Sequence, residues 1–598
     1  MALQSNIQIY IGGSLIGAFK ELTLDQEIDM HHNLRLVCRR DVLERISKNS
    51  EDESKDLLGQ TIQVSVSSLK AVSGYAELKF NGIVTEVKST KGFLNQTGDL
   101  IVITANSNSI LTDDGPHYAS YSDVDLVSIL NTVFQKYDRS KLSTVIQPKL
   151  SSSLHYSVQN GESSYGYASR LASQYGEWFY YDGEELIFGK PQNTDEVSLT
   201  YGVDLQEFSR NLRPISNSYS FFTNDYLTDD QHEMATTDVS GGAMNGYNGF
   251  ASRKSQEMYP HKTNVFLNTY NDAQVKQRLD TLVEEQKKAA EVQQVLISGK
   301  SDNPGVSLGR IVKIQGGEGD QGKFRITKVK HAATENGKYV NQFEGVSIEQ
   351  DVYPKTNIMA HPSSTNQIAV VTDNADPEGM SRIQVQFQWQ KPLGEYTPWL
   401  RVMTPHSGGE KGFHFIPEIG EEVLIGFEGG NAERPFVLGA MYNGNANSKS
   451  WNTDKNDVKA IRTRSGHTIE LNDTKGGEFI TITDKNQNFI NIDTANNNIT
   501  ITALEKMTFN AKNMELNVEE NLDINVGNDK TERIAKNHQV HTSNSIEFAS
   551  QTKSVNVNLS YVQSAGSASL VTLAGDLTMH AKGVSTLQGN ADVKISKG

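Results

Sequence analysis

FITITDKNQNFINIDTANNNITIT, residues 479–502, decides how this chain folds. Its aliphatic residues come in doublets two apart: Ile480/Ile482, Ile490/Ile492 and Ile499/Ile501. Two apart is the strand period, so both members of a doublet face one way and their neighbours the other. Upstream stands Ile469/Leu471; downstream follow Met507/Phe509, Leu516/Val518, Leu522/Ile524, Ile546/Phe548, Val555/Val557 and Leu577/Met579. The surrounding sequence is polar and free of proline from residue 459 onward. A repeat this short implies a rod of stacked strands. One or two apolar residues per rung cannot close a core within one chain, whereas several copies wound together can. The sequence therefore implies a multi-chain β-prism, and a rigid prism implies a mechanical part.

Composition sets outer bounds. At 598 residues the chain exceeds what one core supports, so several domains are expected. Glycine at 48 against proline at 14 leans towards β structure with many turns. Cys38 is the single cysteine, which excludes an intrachain disulfide and a cysteine-rich zinc site. The formal charge of −16 (56 − 72) speaks against general nucleic-acid binding. The start, MALQSNIQIYIGG, reads without a signal peptide, and no run reaches the roughly 18 apolar residues a bilayer span needs. No G-x-S-x-G elbow, P-loop, H-E-x-x-H or dinucleotide fingerprint occurs, so a non-enzymatic protein without cofactor is expected.

Along the chain, alternation predicts strands at residues 7–11, 34–40, 61–66, 77–89 and 99–105, a barrel or sandwich pattern. A helix is expected over 122–137 with Ser122 as N-cap, and a second over 162–175 stopped by Gly176. A hairpin turning at Asp182-Gly183 follows, then a loop over 223–253 and a helix over 271–294. Strands resume at 308–314 and 323–333. Five more (368–373, 382–389, 398–404, 421–427 and 435–442) fit a small OB-type barrel.

DPEGMSRIQVQFQWQ, PWLRVMTPHSG and GFHFIPEIGEEVLIGFEGGNAERPFVLGAMYNG, between Asp376 and Asn443, resemble the spike-base barrel of the VgrG spike proteins of type VI secretion systems and their relatives in phage baseplates and extracellular contractile injectors. TRSGHTIELNDTKGGEFITI, residues 463–482, resembles the start of that family's stem, and ESSYGYASRLASQYGEWFYYDGEELIFG, residues 162–189, its hub. The resemblance implies a mainly β fold with a few helices: two barrel-like hub domains over 1–352, a linker over 353–366, an OB-fold spike base over 367–445, a linker over 446–458, and a trimeric, triple-stranded intertwined β-helix over 459–598. It further implies a homotrimer that meets a hexameric tube protein and baseplate components, carries effector proteins, bears a PAAR-like tip protein and is driven through a target membrane. Such a protein is expected in the bacterial cytoplasm when assembled and outside the cell after contraction.

On this reading the trimer core holds Ile490, Ile492, Ile499, Ile501, Leu522, Ile524, Leu577 and Met579, while Val593 and Ile595 offer a strand end to the tip protein. His538 shares parity with Val540, so three copies could meet on the axis as a metal or anion site; an outward, solvated histidine is the alternative. His31-His32 cannot both face one metal from a strand. Glu162, Arg170 and Glu177 read as surface ion pairs, and Gly420 and Gly429-Gly430 as barrel turns. The 15 residues between barrel and stem are too few for an inserted enzyme, and the sequence closes on stem-like strand, ADVKISKG. Two rival functions are a tailspike acting on cell-surface polysaccharide, which needs paired carboxylates in a sugar groove, and a passive adhesin. Within the leading class, type VI secretion, extracellular injectors and phage tails stay open.

Overall fold

The computed structural model describes residues 5–43, 55–68, 77–90, 99–192, 195–239, 246–268, 274–316 and 319–596. It divides into two units, Met1–Thr502 and Ala503–Gly598.

In the first unit the alternating N-terminal stretches form the strands Ser5–Ile11, Asn33–Arg39, Thr61–Ser68, Leu78–Thr90 and Leu100–Ser107. Their inward residues, among them Ile9, Leu36, Val64, Phe80 and Ile103, share one buried core. Cys38 sits there as a small hydrophobe, its thiol pushed up to about 12 by burial. A further strand, Glu21–Glu27, pairs antiparallel with the long strand Gly319–Thr334. That pairing carries the sheet into a second half built from Tyr339–Ser347, Val295–Ser301, Leu205–Leu212, Ile311–Gly316 and Glu196–Thr200. The second half covers its own core, where Phe324, Val329 and Phe343 meet Leu130, Leu171 and Trp178. Two barrel-like halves thus share one sheet of thirteen strands.

Polar side chains bolt the halves together. Gln26 Nε2 donates to His32 Nδ1 (2.9 Å), His331 Nε2 donates to Gln26 Oε1 (3.0 Å), and the Tyr339 hydroxyl donates to His331 Nδ1 (2.7 Å). These bonds require both imidazoles to be neutral. Burial holds each of them down to about 3. His31 turns the other way, its Nδ1 2.9 Å from Ser109 Oγ, so the two adjacent histidines do not share a site.

Several predicted boundaries move. The first helix runs Leu126–Phe134 and its cap is Asp125, whose Oδ1 accepts from Ser128 N (3.0 Å). Ser122 instead lies in the strand His117–Val124, opposite Tyr156, because sheet pairing outcompetes the cap. The next helix is Ser164–Tyr175, capped by Ser163; Glu162 ends the strand Leu154–Glu162. Gly176 closes the helix at φ 69°, a left-handed position that suits glycine, and the Asp182-Gly183 hairpin joins Phe179–Tyr181 to Glu185–Gly189. The expected loop over 223–253 is largely ordered structure. Tyr219–Asp225 pairs with Asp230–Ala235 and Thr263–Phe266, and Gly246–Met258 is a helix. The long helix spans Val275–Val292; residues 271–273 of its expected start lie outside the described residues.

The OB-type barrel has Gln367–Asp373, Gln384–Phe387, Glu422–Phe427 and Pro435–Ala440 as strands around Val371, Val385, Leu400 and Ile425. The predicted strand at 398–404 is reduced to two bridges, Ile383–Leu400 antiparallel and Val402–Val437 parallel. Those bridges nonetheless close the ring between the second and last strands. The DPEGMSR stretch is a loop folded around one carboxylate. Asp376 accepts from the backbone N–H of Glu378, Met380 and Arg382 and from the Arg382 guanidinium (2.7 and 3.0 Å). Burial opposes its charge, but Arg382 prevails and holds it down to about 2.

The ion pairs read as superficial are buried at the joint between hub and barrel. Arg170 clasps Glu162 through Nε and Nη2 (2.8 and 3.0 Å), donates to Val158 O (2.7 Å) and reaches Glu433 of the barrel (3.4 Å). Glu433 also accepts from Val158 N, and barrel Glu395 accepts from Ser120 N and Oγ (both 2.8 Å). Glu177 takes no part; it accepts from Lys149 N and Leu150 N. The burial arises because the barrel lays Glu433 over the helix. At Gly429 (φ 61°) an added Cβ would stand 2.0 Å from Asn268 Nδ2 of the hub, so a larger residue would push that amide aside, and the left-handed backbone itself favours glycine.

Two outcomes are expected. An imidazole whose folded value lies below the unfolded one, about 6.5, contributes stability that is complete above that value and is lost as pH falls. Urea unfolding of His331→Gln should therefore lose stability less steeply than wild type between about pH 6 and 4, by roughly 1 kcal/mol per pH unit; equal slopes would refute the neutral network. Arg170→Met strands two carboxylates and should cost about 3–5 kcal/mol of hub stability, read from the same unfolding curves.

Candidate assembly site

The decisive stretch folds as an antiparallel meander: Val458–Arg462, Thr468–Asn472, Phe479–Thr483, Phe489–Asp493 and Asn498–Thr502. The doublet spacings of 11, 10 and 9 residues (469, 480, 490, 499) leave room for a turn after each five-residue strand. Side-chain chemistry makes those turns. Asp484 Oδ1 accepts from Asn486 N and Asn488 N, Asp493 Oδ1 from Asn496 N, and Gln487 and Asn497 take positive φ. The Asn488 side chain holds the Asp484 carboxyl below its usual range.

The register sets doublet against doublet. Ile469 faces Ile482, Leu471 faces Ile480, Ile482 faces Ile490, Ile480 faces Ile492, Ile490 faces Ile501 and Ile492 faces Ile499. With Ile461 opposite Ile469, nine aliphatic side chains tile one face. All nine are open to solvent; the six in residues 479–502 are 39–68% exposed. The opposite face, with Thr468, Thr481, Thr483 and Asn491, is the better covered one. This inverts the ordinary partition, and a contiguous apolar face of this size marks an interaction surface. Burying it is worth on the order of 10 kcal/mol per chain before the cost of association.

Among the described residues of Ala503–Gly598 there is no strand, and every one is exposed. Leu522, Ile524, Leu577 and Met579, expected in a trimer core, are 53–76% exposed. Val593 and Ile595 are exposed too, and Lys597 and Gly598 lie outside the described residues. His538 is exposed, and among the described residues no group of three or more His, Cys, Asp or Glu side chains is placed to hold a metal. The interwinding expected from residue 459 is thus preceded by a self-paired segment. The doublet spacing from Ile499 to Leu522 is 6–9 residues, and among the described residues past Asn497 only Gly575 has positive φ, so the left-handed turn positions that close the meander are not repeated there.

Residues 28–337 match the model of the phage tail baseplate hub (GPD) family, just over half of the chain. The chain belongs to that family. Residues 367–442 of this hub protein match the type VI secretion system/phage-baseplate injector OB domain. Two Pseudomonas aeruginosa type VI secretion system spike proteins are similar to it: VgrG5, 30% identical over 129 residues (19% of this chain, 16% of that protein), and VgrG2a, 34% identical over 84 residues (13% and 10%). The match thus covers under a fifth of those relatives' length. A chain of the Francisella PdpA–VgrG complex, half-lidded, shares the fold with a TM-score of 0.53 at 10% identity, over 83% of this chain and 88% of that one.

Sequence reasoning found the doublets but missed Glu395 and Glu433, whose partners lie 275 residues away. Only the density of charge in NAERPF hinted at Glu433, and nothing local hinted at Glu395. Ile492 sits mid-ladder between Ile480 and Ile499. Ile492→Asp should abolish self-association in size-exclusion light scattering while leaving the hub's near-UV circular dichroism intact. An associated Ile492→Asp chain would show that the ladder is not the contact surface.

Proposed function

We propose that this hub protein is the non-enzymatic spike of a contractile injection apparatus. Three copies join, wind their tail segments into one needle and are driven through a target membrane. The reading rests on one observation, the nine-residue aliphatic face that a single chain leaves open beside a tail without intrachain strands. An extended strand needs a hydrogen-bonding neighbour along each edge. Two chains leave edges bare, and three is the smallest number that closes the ring. Likeness to type VI spike proteins supports a type VI-like machine over a free injector or phage tail.

In that machine the hub meets a hexameric tube protein and baseplate components, and Val593 and Ile595 meet a PAAR-like tip protein. Effector proteins ride on the assembly; the relative solved as a complex with PdpA supports a protein passenger. Assembly takes place in the bacterial cytoplasm, with contraction as the route out.

Native mass spectrometry should return three chains at about 1 µM; a folded single chain or a dimer overturns the reading. In a bacterium that carries the system, Ile524→Asp sets three carboxylates on one axis and should abolish contact-dependent delivery. Undiminished delivery by that variant would equally sink the needle.

A further inference from the structure

A groove of about 550 Å³ opens at the joint between hub and barrel, within the roughly 300–1,000 Å³ of small-molecule sites. Its walls come from the hub strands His117–Val124 and Leu154–Glu162, the segment 363–367 and the barrel's Trp389. The barrel builds its wall from the inside out. Phe427 stacks on Phe387 (6.2 Å, 19°) and Phe387 on Trp389 (5.4 Å, 7°), so the indole ends a column that starts in the barrel core. Trp389 Nε1 donates to Gln367 Oε1 (3.0 Å), and Gln367 Nε2 donates to Ser364 Oγ (2.8 Å), which pins the ring in its plane. Next to it stands Tyr118 of the hub, its ring 6.2 Å away at 41° and the residue 48% exposed. Asn160 Nδ2 donates to Ser363 O (2.7 Å) and ties the third wall to the hub.

We propose that this groove binds a neutral hexopyranose unit of a glycan, with its C–H face on the exposed Tyr118 ring beside Trp389. No residue that lines the groove carries a formal charge, so it offers no counter-ion to a phosphate, a carboxylate or an ammonium group. What it offers is aromatic surface together with uncharged hydroxyl and amide groups. The two rings give a pyranose a flat apolar contact, and the exposed Ser363 and Thr365 give its hydroxyls donors and acceptors. Such a lining suits a ligand that is apolar on its ring faces and polar around its edge. A proline-rich peptide also uses aromatic grooves, but its carbonyls need donors, and the indole N–H is already spent on Gln367. Because the indole is locked before any ligand arrives, little side-chain freedom is lost on binding. This site is independent of the assembly face and of the spike reading.

Saturation-transfer NMR on the full chain with glucose, galactose, N-acetylglucosamine and maltose, each at about 10 mM, should show transfer to at least one of them, at the millimolar affinity such an open site gives. Tyr118→Ala removes the stacking ring at an exposed position and should weaken binding about tenfold, while Tyr118→Phe, which keeps the ring, should retain most of it. Trp389→Ala should abolish binding. Should that variant fail to fold, the two Tyr118 variants decide. No transfer from any of the four sugars, transfer unaffected by Tyr118→Ala, or tighter binding of a polyproline peptide than of sugar would each overturn the proposal.

Discussion

One constraint governs this molecule: an aliphatic face that the chain builds and does not cover. The meander from Val458 to Thr502 spends its hydrogen bonds within the chain and places every doublet on one side. Such a face in a monomer would drive indiscriminate association. Here the flanking chemistry limits other contacts. The turns carry Asp, Asn, Lys and Gly, so the polar edges resist lateral stacking, and strands of five residues leave little bare edge to copy. Past Thr502 the doublets continue, but among the described residues the left-handed turn positions of Gln487 and Asn497 are not repeated before Gly575.

What the sequence disclosed and what it hid follow from the range of the interactions. Features set by near neighbours were legible: the doublet parity, Gly176 at a left-handed helix end, the Asp182-Gly183 turn and four of five barrel strands. The fifth, around Leu400 and Val402, is held by single bridges to two different strands, so its alternation is real but its ladder is short. Ser122 and Asp125 are both good caps, and the choice between them was made by Leu154–Glu162, a strand whose pairing local chemistry does not announce. The loop reading of 223–253 failed because the local hairpin of Tyr219–Asp225 with Asp230–Ala235 is written within the window in polar residues, and the strand that completes the small sheet, Thr263–Phe266, lies outside it.

The assembly face itself was the most legible part of the molecule, because a repeat advertises itself. The hub–barrel joint was the least. Nothing in ESSYGYASR distinguishes a solvated Arg170 from a buried one, and its partner Glu433 arrives from a different domain.

The joint and the ladder answer different mechanical demands. A buried guanidinium between two carboxylates is a poor source of net stability, because desolvation offsets most of the attraction. It is directional, however, and Arg170 can satisfy Glu162, Glu433 and Val158 O together only in one geometry. Added to Glu395 on Ser120 and to the close approach at Gly429, it fixes the barrel's seat on the hub through polar bonds that fail if either domain rotates. An apolar joint of the same area would slide, since hydrophobic contact has no preferred angle. The chain therefore carries an open, non-directional apolar face on its meander and directional polar bonds at the joint between two of its own domains.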